Sequence, residues 1–390
     1  MTNILFINPH FRLFSTPTCG GANRSQMFLK ALTQVGHVDV VSFWEGETSN
    51  LPNCDVIHAG CPEFGPLDSY GRVGKYFRLL APWNANNIFP LNKKVESFCD
   101  EIIAKGNYDY IAVRYLFTAA EYGLLKYSDR LIVDVDDNPK NTLLVRMRKA
   151  ETRFQKLYYW LAAVSAGLMS RLVLRGVHTS FYSNQRQSPS NYSVYLPNVP
   201  IQSSPLESVH EALPMRAIVV GSWAYYPNKH GLLHFVNNIW PNILQKIPEA
   251  QLDIIGKMDD NDLKSTCESV KGITVRGFVD DIRAEYENAR CALVPIYYGS
   301  GTCVKVIEAM CLNRPFVSTS CGVRGLEQNI KSGHDFLLAK TDEEFARNAI
   351  SLLLSPEKGA IFAQNALACT RTQFSQNAFN RIVKDSICTQ

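Results

Sequence analysis

The chain alternates short β-rich runs with helical patterns, and it does so twice. In the first half such runs fall at 4–8 ("ILFIN"), 38–43, 55–60, 108–115, 131–136 ("LIVDVD"), 179–183 and 193–197, with helical periods at 22–35, 93–105, 117–126, 141–175 and 184–189. A Pro- and Ser-rich break follows. The pattern then restarts with runs at 217–222, 251–256, 273–278, 291–296 and 314–319 between helical periods at 229–246, 260–269, 280–289, 303–312 and 342–355. Strands alternating with helices read as βαβ units, which stack into a parallel sheet covered on both faces. Two such series in 390 residues are more than one core holds. The sequence therefore predicts an α/β protein with two Rossmann-like, doubly wound parallel-sheet domains, at 1–197 and 215–357. A linker at 198–214 joins them, and a closing helical segment at 358–390 is long enough to pack back across the first domain. The 61–92 stretch reads as a long irregular loop.

Composition narrows the partners. A net charge of +4, with no basic motif, gives no reason to expect nucleic acid. Eleven cysteines, odd in number and without CxxC or Cys/His ligand spacing, read as reduced thiols of a cytosolic protein. The opening "MTNILFINPHF" reads as a strand and not as a signal peptide. The longest apolar stretch, Leu157 to Ser170, stops at Arg171, short of the roughly 18 residues a membrane span requires. The expected location is cytoplasmic, with at most a peripheral contact on the inner face of a membrane.

In open parallel sheets ligands bind beyond the C-terminal strand ends. After the first strand, Gly20-Gly21 opens a helix, where backbone N–H groups approach a phosphate or sugar closely; a plain loop and cap is the other reading. After the fifth strand comes "DVDDNP". Period-2 alternation puts Asp134 on the face of Asp136 but inside the strand, leaving Asp136 and Asp137 at the open end, for hydroxyl binding ahead of metal binding or as a helix cap. His58 and Arg114 also end strands and are acceptor-side candidates; a buried Arg implies an anion or a carboxylate partner. In the second half, backbone near Val279 and Asp280 stands where it meets a base, unless Asp280 caps a helix.

"GSGTCVKVIEAMCLNRPFVST", residues 299–319, is the most informative stretch. It runs from a strand end into a helix whose first turn holds Lys305, a cation opposing the helix dipole, which makes sense if an anion arrives. Glu308, one turn on, offers a carboxylate to two vicinal hydroxyls such as a ribose presents. The competing reading is a surface Lys–Glu pair.

Residues 215–356 resemble the donor domain of GT-B glycosyltransferases of family 4. The matching stretches are "GSWAYYPNKHGLLHF", "GFVDDIRAEYENARCALVPI", the 299–319 segment and "GVRGLE"; the Gly20-Gly21 loop, "DVDD" and "YLPNVP" are looser matches in the first half. The resemblance implies two domains facing a central cleft, a nucleotide-diphosphate-sugar donor on the second domain and an acceptor on the first. Transfer would retain anomeric configuration with no required metal or other cofactor, the leaving diphosphate helping to deprotonate the acceptor hydroxyl. By the same resemblance Glu308 binds the ribose, the backbone of Gly301, Thr302, Cys303 and Val304 meets donor sugar and phosphate, and Gly20 and Gly21 face the diphosphate. Asp136 or Asp137 falls where relatives often place a His on the donor sugar, which makes these two the catalytic candidates. Two departures stand out. The first of the family's paired glutamates is Ser300 here, and the usual Arg and Lys on the phosphates are replaced by Ser222 and Asn228 with Lys229 beside them. Lys305 is then the residue expected to carry the diphosphate charge.

The expected function is a glycosyltransferase acting on a glycan or lipid-linked acceptor hydroxyl in the biosynthesis of a surface polysaccharide. The 141–175 segment bears Lys140, Arg146, Arg148, Lys149, Arg153, Lys156, Arg171 and Arg175 against Glu151, which suits either an anionic membrane or a solvated face. The alternatives are a non-catalytic GT-B donor-binding subunit and a nucleotide-sugar 2-epimerase; a phosphorylase of this fold calls for a much longer chain.

Overall fold

The apolar runs pair side by side into two parallel sheets. The computed structural model describes residues 2–17, 19–60, 91–184, 193–200, 205–206, 212–299 and 301–388. One unit comprises Met1–Pro197 with Gln376–Gln390, the other Asn198–Ser375.

In the first unit the order is β1 (Asn3–Asn8), α1 (Gly20–Leu32), β2 (His37–Ser42), β3 (Cys54–Ala59), α2 (Lys93–Lys105), β4 (Tyr110–Arg114), α3 (Leu116–Glu121), β5 (Leu131–Asp136), α4 (Pro139–Lys149), α5 (Arg153–Leu174), β6 (Thr179–Tyr182) and β7 (Ser193–Tyr195). The sheet runs β3-β2-β1-β4-β5-β6-β7. β1, β4 and β5 are buried on both faces, which is why they read as continuous apolar runs and not as alternating ones. The order reverses between β1 and β4, the switch point at which open sheets bind ligands.

The second unit repeats the plan with β8 (Arg216–Val220), α6 (Tyr226–His234), α7 (Trp240–Lys246), β9 (Gln251–Ile255), α8 (Asn261–Glu268), β10 (Ile273–Gly277), α9 (Ile282–Glu287), β11 (Cys291–Val294), α10 (Val304–Cys311), β12 (Phe316–Thr319), β13 (Leu337–Ala339), α11 (Asp342–Leu354) and α12 (Pro356–Gln373). Its sheet runs β10-β9-β8-β11-β12-β13, reversing between β8 and β11. The last described helix, α13 (Gln376–Cys388), lies on the first unit. There it buries Phe379 and Val383, and its Ser386 carbonyl accepts from Thr179 Oγ1 at 3.2 Å.

The structure corrects several sequence readings. The helix read over 141–175 is two, because Thr152 starts a new one: its Oγ1 accepts from Gln155 N–H and Gln155 Oε1 accepts from Thr152 N–H, a capping box. The helix read over 229–246 passes through a π-turn at Phe235–Ile239, where Pro241 removes a backbone donor. The return to the first unit begins at Gln376 and not at 358, since α12 packs Phe362 and Ala366 into the second unit's cores. Described residues of the 198–214 segment also join the second unit: the Pro205 carbonyl accepts from Arg283 and Leu206 N–H donates to Leu312. β13 was not read from the sequence. Most of the 61–92 loop and of the 184–189 helix lies outside the described residues.

Four charges, three of them buried, lock the first unit's switch point. Asp134, wholly buried in β5, accepts from Arg114 Nε at 2.9 Å and from Arg24 Nη2 at 2.7 Å. Arg114 also reaches Asp136 at 2.7 Å, the Gly21 carbonyl at 2.6 Å and Ser25 Oγ at 2.9 Å, while Arg24 donates to the Leu196 carbonyl at 3.0 Å. The cluster ties α1, β4, β5 and the chain after β7 together. Removing one partner of such a group leaves an unanswered buried charge. Asp134→Ala is expected to lower unfolding free energy by about 3–5 kcal/mol in urea titrations.

Candidate functional site

In the second unit, β8 and β11 are neighbours and the loops leaving them start at the switch point. Two glycines let these loops close in. Gly256, at φ 119°, lies where a side chain would run into the Gly221 carbonyl, and a side chain on Gly231 would meet the Pro295 carbonyl. The Ser222 carbonyl accepts from Tyr225 N–H at 3.2 Å and from Asn228 Nδ2 at 2.9 Å. The other end of that amide, Asn228 Oδ1, accepts from Lys305 Nζ at 2.9 Å. One side chain thus couples the β8 loop to the first turn of α10.

Gly301, Thr302 and Cys303 lead into α10, whose N-cap is Cys303. Lys305 is the second residue of the helix, partly buried, and its amine is pushed below the usual lysine range by burial, against the pull of Cys303 and Glu308. Among the described residues no carboxylate forms an ion pair with it. Glu308 turns instead to the hydroxyl of the buried Tyr286 on α9. Burial pushes its carboxyl up to about 7, and Tyr286 and Lys305 pull the other way. The surface-pair reading therefore fails, because the two side chains are partly buried and each faces a different partner. The arrangement is a cation at a helix head beside a carboxyl that titrates near neutrality, suited to an anion flanked by hydroxyls.

Other predicted residues are placed differently. Lys229 pairs with Asp260, the N-cap of α8, so its charge is already answered. Val279 packs against the core beside α10, and the cap of α9 is Asp281, not Asp280. Ser300 lies outside the described residues.

In the first unit Gly20 and Gly21 do open α1. The Phe11 ring fills the space where a Gly21 side chain would stand, with 2.6 Å to a built Cβ. Arg114 is fully enclosed by its carboxylate and carbonyl partners, which corrects its reading as an acceptor-side group and realises the carboxylate-partner alternative. Asp136 sits at φ 61° at the strand end; although its burial opposes charge, Arg24 and Arg114 hold its carboxyl below the usual range. A carboxylate so held is a poor base, which corrects the catalytic reading of Asp136. Asp137 follows it, partly buried, and the cap of α4 is Asn138. His58 lies on the outermost strand, two strands from the switch point, with Nε2 3.0 Å from the Gly60 carbonyl and its ring on Phe98.

Three residues were missed. His10, after β1, is 2.7 Å from Thr118 Oγ1 and meets the Tyr115 ring edge-to-face; burial and then Arg114 lower its pKa to about 4, so it is neutral. Tyr286 orients Glu308. Arg324, from "GVRGLE", lies 3.3 Å from Cys321 Sγ and beside Gly299, and its Nε finds no partner among the described residues. A cavity of about 260 Å³ opens one strand away, among Tyr297, Thr319, Thr341 and Asp342. It is below the usual size of a ligand pocket, so the head of α10 remains the better candidate.

Known proteins share this fold. Residues 215–355 match the family model described as glycosyl transferases group 1. A 44.6 kDa protein in the cps region of Klebsiella pneumoniae is 20% identical, over 94% of this chain and 96% of that one. Sucrose-phosphate synthase from Thermosynechococcus elongatus superposes with a TM-score of 0.65 at 15% identity, covering 98% of this chain and 97% of that one. HepE from Anabaena, in complex with UDP and glucose, does so with a TM-score of 0.64 at 14% identity, covering 100% of both. The fold is GT-B and the protein is a glycosyltransferase. Its second unit carries the group 1 domain.

Because the Tyr286 hydroxyl stabilises the ionised carboxyl, Tyr286→Phe is expected to move the Glu308 midpoint above about 7. A titration of carbon-13-labelled glutamate by NMR reads it directly.

Proposed function

We propose that the second unit binds a nucleotide-diphosphate sugar at the head of α10 and that the enzyme transfers the sugar to a hydroxyl of a glycan or lipid-linked acceptor, in the biosynthesis of a surface polysaccharide. The observation that carries this reading is Lys305, a cation at a helix N-terminus whose only hydrogen-bond partner among the described residues is the neutral Asn228. A diphosphate would answer both the ammonium and the N–H groups of the helix. Glu308 would accept from the ribose hydroxyls. The relative from a cps region supports the polysaccharide, and the complex of HepE with UDP and glucose makes UDP the first nucleotide to test.

Transfer in this reading retains configuration and requires no metal, since Lys305 and the helix head neutralise the leaving group. The acceptor oxygen bonds to the anomeric carbon as the bond from that carbon to the diphosphate oxygen breaks. The acceptor proton passes to the departing diphosphate, in keeping with an Asp136 already committed to two arginines.

Calorimetry with UDP, GDP, ADP and dTDP tests the site. Lys305→Ala and Glu308→Ala are each expected to weaken binding of the preferred nucleotide at least about tenfold; unchanged binding in both would remove the proposal. Ribose needs the ionised carboxylate, so as Glu308 loses its proton affinity should rise between about pH 6 and about pH 8, and Glu308→Gln should flatten that rise.

A further inference from the structure

α5 carries an apolar face that the first unit does not cover. Its buried side, with Ala162, Ala163, Ala166 and Met169, seats it in the fold. On the other side Phe154, Leu157, Leu161, Val164, Leu168 and Leu172 are exposed, from 38% at Leu161 to 60% at Phe154. At 3.6 residues per turn these six occupy an arc of about 80° and run about 27 Å along the helix. Every α5 position within that arc, from Phe154 to Leu172, is apolar. Trp160 borders the arc, 49% exposed.

The charge around this face has one sign. Arg153 and Arg171 border it near its two ends, and Lys156 lies on the same flank as Trp160. Arg146 and Arg148 are exposed on the last turn of α4, and among the described residues none of these five cations forms an ion pair. Within residues 140–175 the only acid is Glu151, in the turn between the helices.

We propose that this face of α5 docks in the plane of an anionic phospholipid bilayer, the apolar arc sinking below the headgroups and the arginines and lysines meeting their phosphates. The length of the arc and its cationic border are those of an interfacial helix. A second copy of the chain is the poorer occupant, because two such faces meeting would bring like charges together. Crossing the bilayer is poorer too. α5 is apolar enough by composition, with a mean hydropathy of 1.4 over its best 18 residues, but its buried side is part of the first unit's core.

The test is cosedimentation of the full chain with vesicles of phosphatidylcholine alone or mixed with phosphatidylglycerol. Binding is expected on the mixed vesicles, weakening as salt rises. Both the triple variant Leu157→Gln, Leu161→Gln, Leu168→Gln and the triple variant Arg146→Gln, Arg148→Gln, Arg153→Gln should lower the partition coefficient at least about tenfold. Circular dichroism melting establishes that each variant folds. Should the leucine variant fail to fold, Trp160 emission in the otherwise native chain serves instead: mixed vesicles should shift it to shorter wavelength, and Trp160→Phe should abolish the shift. A native chain that stays in the supernatant, folded variants that bind unchanged, or no shift from Trp160 would overturn the proposal. So would a native dimer in light scattering that the leucine variant turns into a monomer, since a second copy would then cover the face. Nucleotide affinity does not enter these readouts, so failure here leaves the sugar-transfer reading standing.

Discussion

Taking a charge out of water costs several kcal/mol unless opposite charge or a fan of hydrogen bonds replaces the solvent, and both sheets are organised around that requirement. In the first unit Arg24 and Arg114 are answered by Asp134 and Asp136. In the second, Arg216 at the start of β8 is answered by Asp253 on β9 and Glu285 on α9, and Arg314 by the carbonyls of Tyr286 at 2.8 Å and Glu287 at 3.2 Å. These groups join strands to helices at defined points and fix where the loops leave the sheet. Lys305 departs from the pattern, with a neutral amide for a partner and a helix dipole against it. That contrast sets Lys305 apart from the charges that hold the fold.

The repeated alternation of strand and helix was enough to read both sheets, because parallel strands buried on two faces leave continuous apolar runs. Lys305 and Glu308 were legible for a related reason: polar residues inside an otherwise apolar helix head are costly without a task. What escaped depends on distance in space. Arg114 and Asp134 are 20 residues apart and Arg24 and Asp134 are 110 apart, so nothing local marks them as partners. A strand-end Asp or Arg looks the same in sequence whether it faces a substrate or another side chain. Tyr286 reads as an ordinary helical aromatic until α9 is placed beside α10. The split of the 141–175 helix was locally visible, however, in the Thr152–Gln155 spacing, and the long apolar period across it masked the signal.

The covering of α1 by α13 sets an order on synthesis. Residues that complete the first unit lie after the whole of the second, so α1 emerges some 350 residues ahead of the helix that shields it. At about 5–20 residues per second, the roughly 180 residues of the intervening unit take on the order of ten seconds or more to translate. For that interval the α1 surface is uncovered, and by its end the second unit already has every strand it needs. The later-made unit can therefore finish folding first, and the earlier one closes only when α13 arrives.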